Sequence, residues 1–181
     1  MNRWRESTAK ALLIAASLLF AFPARGQGFD HGTLFALDWE LAQPLYDLRN
    51  FVDTSPYGAA IEARFALGRH FSTGLELNWN SFTDGPNHGI DAFAAGWTGH
   101  WYLSRSSVQP YLGVGVGPMY RRMDPSDDFF GLSVDPQLGC LFTLDKGVAL
   151  NVAVRYEFTT TWAYSVYHSQ WLGFRVGIAA Y

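Results

Sequence analysis

Between Phe35 and Ile178 the chain alternates, residue by residue, between bulky apolar side chains and small or polar ones, and it does so in eight separate stretches. A period of two belongs to a strand whose two faces meet different surroundings. In the first stretch Phe35, Leu37, Trp39 and Leu41 oppose Ala36, Asp38, Glu40 and Ala42. The second sets Ala59, Ile61, Ala63, Phe65 and Leu67 against Glu62 and Arg64, and the third sets Phe71, Leu75, Leu77 and Trp79 against Gly74, Glu76 and Asn78. The fourth runs from Phe93 to Leu103, the fifth from Leu112 to Arg121, the sixth from Phe130 to Thr143, the seventh from Val148 to Phe158 and the eighth from Leu172 to Ile178. Each has one clean apolar face. After Gln27 no window holds enough consecutive apolar residues for a membrane-spanning helix, so any crossing must be made by strands.

The connections alternate as well. Gly68 to His70, Ser104 to Gln109 and Asp145 to Gly147 are short, whereas Gln43 to Ser55, Thr83 to His88, Asp124 to Asp128 and Thr159 to His168 are mostly longer. This pattern predicts an all-β, eight-stranded antiparallel up-and-down transmembrane β-barrel, with short turns at one end and longer loops at the other.

Residue size decides which face points outward. The polar face carries Gly74, Gly96, Gly113, Gly115, Gly117, Gly139, Gly173 and Gly177, while the apolar face is rich in Phe, Trp, Leu and Val. The interior of eight strands is only wide enough for side chains to fill it, so the bulky row fits outward, against lipid. The lipid-facing aromatics are then Trp39, Trp79, Trp97, Trp101, Tyr120 and Tyr156, with Tyr57 beside them. The inner face holds Asp38, Glu40, Glu62, Glu76, Asp135 and Glu157 together with Arg64, Arg121, Arg155, Arg175 and His100. Buried charges are tolerated when paired and hydrogen-bonded, so a lumenal charge network is expected, and such a core blocks a wide pore.

Composition adds the compartment. Residues 1–26 read as a cleaved secretory signal peptide: Arg3, Arg5 and Lys10 precede an apolar run from Ala11 to Phe22, and Ala24-Arg25-Gly26 supplies small residues before Gln27. Residues 27–181 then form one barrel domain. Of 13 basic and 16 acidic residues, 9 and 15 remain after that cleavage, an acidic balance unsuited to nucleic acid. Cys140 is the sole cysteine, so no internal disulfide supports the exported chain. Aromatics make up 17% of the residues and Lys146 is the only lysine past the signal peptide, a mix that suits a surface facing lipid better than one facing water.

The stretches Pro110 to Tyr120 (PYLGVGVGPMY), Asp135 to Leu144 (DPQLGCLFTL) and Trp171 to Tyr181 (WLGFRVGIAAY) are glycine-punctuated strands and an aromatic chain end. In these and in its eightfold pattern the chain resembles the small OmpX- and OmpA-like outer-membrane β-barrels. The resemblance implies location in the outer membrane and folding by the barrel-assembly machinery. Tyr181 departs from it by sharing the parity of Gly177 and Arg175, for which a bulge near Ala179-Ala180 or a missing final residue would account. Pro118 and Pro136 lie within strand stretches, where a bulge or locally broken pairing is expected.

Candidate chemistry is sparse. His168 and Ser169 form a potential catalytic pair for a lipid-modifying enzyme, but neighbours on a strand face opposite ways. Asp124, Asp127 and Asp128 lack the ligand spacing of a calcium loop, and His31, His70, His88 and His100 show no metal-ligand spacing. Gly113-x-Gly115-x-Gly117 lacks the helix and acidic residue of a dinucleotide site. No catalytic residue, cofactor or metal is therefore expected. The leading expectation is a non-enzymatic, monomeric outer-membrane barrel in contact with lipid and lipopolysaccharide. Its loops Gln43 to Ser55 and Thr159 to His168, with Trp162, Tyr164 and Tyr167, would bind an unknown extracellular ligand or support the envelope. A narrow or gated porin-like passage ranks second; an outer-leaflet lipid-modifying enzyme and a soluble apolar-ligand barrel rank lower.

Overall fold

A computed structural model describes residues 32–46, 48, 55–84, 88–104, 106–124, 128–162 and 166–181. The segment read as a signal peptide lies outside them. Eight strands follow one another: β1 (Thr33–Leu45), β2 (Ser55–Ala66), β3 (Phe71–Asp84), β4 (His88–Tyr102), β5 (Val108–Asp124), β6 (Asp128–Asp145), β7 (Val148–Trp162) and β8 (Val166–Ala180). Each is antiparallel to the next, and β8 closes on β1, so the sheet is a complete cylinder with no unpaired edge.

The register fixes the geometry of that cylinder. Stepping from partner to partner once around the wall leads from Phe35 through Ala63, Leu75, Trp97, Val116, Val134, Phe158 and Gln170 to Leu45. The path rejoins β1 ten residues along it (45 against 35), which is the shear of the barrel. Eight strands with that stagger tilt by about 40°. A strand of 15 residues such as β7 then rises about 38 Å, well beyond an apolar band of about 25 Å.

Every strand outruns its alternating stretch, mostly at the end where the longer connections were expected. Only three residues separate β3 from β4, β5 from β6 and β7 from β8, while nine separate β1 from β2. The stretch from Thr159 to His168 is therefore largely a hairpin, paired up to Trp162 with Val166. Tyr164 and the side chain of Tyr167 lie outside the described residues. The loop expectation fails there because the threonines at 159 to 161 and the aromatics after them have strong β propensity and continue the ladder.

The two prolines interrupt pairing without shifting register. Between β4 and β5 the ladder lapses from Ala94 with Met119 to Trp97 with Val116, opposite Pro118. Between β6 and β7 it lapses from Val134 with Phe158 to Gln137 with Arg155, opposite Pro136. Each proline keeps its partner on the other side, Leu132 and Val114 respectively, because its missing N–H is needed on one side only. Bulges occur elsewhere, between Glu40 and Ala42 and between Thr143 and Asp145.

No bulge lies near Ala179-Ala180, since β8 holds one register with both neighbours from Gln170 to Ala180. Tyr181 simply continues the alternation. It turns inward over the barrel end, donates its N–H to Gly147 O and lies 3.3 Å from the Thr143 hydroxyl.

Candidate functional site

The outer wall is the apolar face. Trp39, Trp97 and Trp101 are each more than half exposed, as are Leu75 and Leu77. Trp79, Tyr120 and Tyr156 also point outward but are partly covered by neighbours, and the Tyr156 hydroxyl donates to Gln170. Register alone assembles part of this surface. Trp79, Phe93, Tyr120 and Phe130 are successive partners across four strands, with ring centroids 6.4, 6.3 and 5.1 Å apart, and Trp162 follows Phe130. A cleft of about 390 Å³ on the same outer face is lined by Leu37, Trp39, Ala59 and Val176.

The lumen is filled in three layers. At the end of the short turns, Leu34, Ala36, Tyr102, Tyr111 and Leu141 form a buried apolar plug, against which Tyr181 packs. At the opposite end Ala42, Leu48, Phe82, Met119 and Trp171 form a second, with the Phe82 and Trp171 rings edge to face at 5.4 Å. Between them lie the charges.

That central layer holds two groups of ion pairs and hydrogen bonds. Arg175 donates through Nε to Glu40 at 2.7 Å and through its two Nη atoms to Glu76 at 2.6 and 2.8 Å. Arg155 reaches Glu40 at 3.3 Å, Glu76 at 2.9 Å and Asp135 at 3.9 Å, and also pairs with Glu157. Arg64 pairs with Glu62 at 2.7 Å, while Glu62 also accepts from Thr98 at 2.6 Å and lies 3.5 Å from His100 Nε2. Asn78 and Asn80 donate to Glu40, each at 3.3 Å. The link to the lower plug is Tyr111: Arg64 lies 4.8 Å over its ring, and its hydroxyl donates to Asn151, whose amide donates to Asp38 at 2.9 Å.

Ten of the eleven inner charges singled out in the sequence thus meet in two neighbouring groups, Glu40, Glu76, Asp135, Arg155, Glu157 and Arg175 in one and Asp38, Glu62, Arg64 and His100, joined through Tyr111 and Asn151, in the other; Arg121 stands apart toward the end that carries the β1–β2 connection, bonded to Ser169 and Thr159. Carboxylates predominate in these groups, with Asp38, Glu40, Glu62, Glu76, Asp135 and Glu157 sharing three guanidinium groups. Glycines make room for them. A Cβ on Gly173 would fall 2.5 Å from Glu40 Oε1 and 3.0 Å from Arg155 Cγ, and one on Gly115 would fall 2.5 Å from Asp135 Oδ1. Phe82, Tyr111 and Trp171 lie just beyond the ends of the third, fifth and eighth alternating stretches, so the alternation alone does not reach them. Their parity, shared with Asn80, Gly113 and Gly173 respectively, was the signal that places them inside.

The candidate catalytic pair is not brought together. His168 is on the outer face, stacked on Phe158 at 5.5 Å and within 3.1 Å of the Thr160 hydroxyl, whereas Ser169 is buried inside. The barrel wall separates the two side chains. Among the described residues no three His, Cys, Asp or Glu side chains are grouped to hold a metal ion.

No protein-family model matches the sequence, and no curated protein does either. Solved structures do match. Neisserial surface protein A superposes with a TM-score of 0.67 at 15% identity, covering 82% of this chain and 96% of that one. OprG from Pseudomonas aeruginosa gives 0.56 at 16% identity, with 85% and 97% covered, and Ail, the attachment invasion locus protein of Yersinia pestis, gives 0.53 at 8%, with 83% and 98% covered. The fold is that of the small eight-stranded outer-membrane β-barrels.

Proposed function

We propose that this chain is exported under the direction of residues 1–26 and works in the outer membrane as a sealed, non-enzymatic barrel, meeting its partners at its outer rim rather than through a channel. The observation that carries the reading is the filled lumen, in which the ion-pair layer lies between two buried apolar plugs. An ion crossing it would have to separate Arg175 from Glu40 and Glu76, all at most 5% exposed, and breaking buried pairs costs about 3–5 kcal/mol.

The height of the strands also favours the rim. With an apolar band of about 25 Å and strands rising about 38 Å, the hairpins of β3–β4, β5–β6 and β7–β8 stand clear of the lipid as stiff, paired ribbons. A stiff rim loses little conformational entropy on binding, which suits recognition of an external ligand or of a neighbouring envelope component. The wall of Trp39, Trp97 and Trp101 sits in outer-membrane lipid and lipopolysaccharide, the barrel-assembly machinery inserts the chain, and it functions as a monomer. One structural neighbour is named a surface protein and another an attachment invasion locus protein, in keeping with this reading.

Planar-bilayer recording tests it directly. The purified barrel is expected to give no discrete openings, and neither Glu76→Gln nor Arg155→Gln should create any. Resolved unitary currents whose size changes with those substitutions would replace this reading with the narrow-passage one.

A further inference from the structure

We infer that Arg121 is the centre of a small oxyanion-binding site inside the end of the barrel that carries the β1–β2 connection, taking sulfate, phosphate or a carboxylate. Its side chain is 5% exposed, yet among the described residues no carboxylate pairs with it; the lumenal ion pairs involve Arg64, Arg155 and Arg175 instead. A buried guanidinium without a counter-charge is costly, and an anion is what offsets that cost. The nearest relief inside the protein is two hydroxyls: Nη1 donates to Ser169 Oγ at 2.8 Å and Nη2 to Thr159 Oγ1 at 3.0 Å.

A guanidinium has five N–H donors in a planar fork, so two bonds leave three donors over, and Nε has no acceptor among the described residues. The surroundings add donors rather than acceptors. Thr159 already spends its own hydrogen on Ser169 O, at 3.2 Å, but the Ser169 hydroxyl hydrogen is unassigned to any acceptor. Two residues further along the inner face of β8, Trp171 Nε1 is buried without an acceptor. Spare guanidinium donors, a serine hydroxyl and an indole N–H at one mouth call for an oxygen-rich anion. The acid-rich central layer then bars that anion from going deeper.

The test uses the full barrel refolded in zwitterionic phosphatidylcholine vesicles, titrated with sulfate or inorganic phosphate against chloride at matched ionic strength. The readouts are the urea midpoint and direct calorimetric binding. The wild type should show a saturable stabilisation by sulfate or phosphate that chloride does not give. Arg121→Gln should abolish the saturable part; Arg121→Lys, which keeps the charge and loses the fork, and Ser169→Ala should each weaken it about tenfold. Should Arg121→Gln fail to fold, the Lys and Ala variants carry the same comparison. No saturable response in the wild type, or responses unchanged in the variants, would overturn the assignment.

Discussion

Arg175→Met isolates the energetic role of the central layer. The substitution removes three charge-assisted hydrogen bonds of 2.6 to 2.8 Å, from one guanidinium to Glu40 and Glu76. Both acids are buried, but neither is left without a cation, because Arg155 remains 3.3 Å from Glu40 and 2.9 Å from Glu76. The cost therefore belongs at the lower end of the range for a broken buried pair, about 3 kcal/mol, or roughly a hundredfold in the folding equilibrium. Adding Glu76→Gln takes away the carboxylate that Arg175 served and should restore about 2 kcal/mol as a coupling energy in the double-mutant cycle. The assay is reversible urea unfolding in lipid vesicles, followed by tryptophan fluorescence and by the mobility of the unboiled barrel on a gel. Lys146→Met, in the exposed β6–β7 turn, serves as the control and should leave the midpoint unchanged. A loss below about 1 kcal/mol for Arg175→Met, or additive effects in the cycle, would refute the claim that these groups act as a unit.

Other consequences are open to measurement. Leu77→Arg, placed on the lipid side of β3, should destabilise the barrel by about 2–4 kcal/mol, whereas Leu144→Arg near the turn should cost no more than about 1 kcal/mol; equal penalties would mean that the wall is not graded by depth. Gly173→Val should prevent recovery of the compact gel species, because its Cβ would meet Glu40 and Arg155 within 3.0 Å. Among single-tryptophan variants, brominated acyl chains should quench Trp97 strongly and Trp171 hardly at all, since the first is 57% exposed outward and the second 1% exposed inside. Cys140, on the outer face of β6 beside Val152 and Pro110, should react with a membrane-soluble maleimide and resist a charged one until urea unfolds the barrel.

Period-two alternation determined, with no knowledge of contacts, that there are eight strands and that each has two faces, and residue size then determined that the bulky face looks outward. Side-chain direction along a strand is a local property, and Leu75 and Leu77 against Gly74 and Glu76 state it in four residues. The burial of Asp38, Glu62, Arg155 and Arg175 follows from the same parity. Tertiary structure decided what parity cannot reach. Which acid meets which base depends on a stagger of ten residues around the cylinder, so Arg175 on β8 finds Glu76 on β3, 99 positions away, and Arg121 finds no acid among the described residues. Phe82, Tyr111 and Trp171 have inward parity, but only the closed sheet gathers them with other inward residues into lumenal plugs, and ladder pairing carried β7 and β8 through what read as a loop. Pairing across strands is a property of register and curvature, and neither is written in any one segment of the chain.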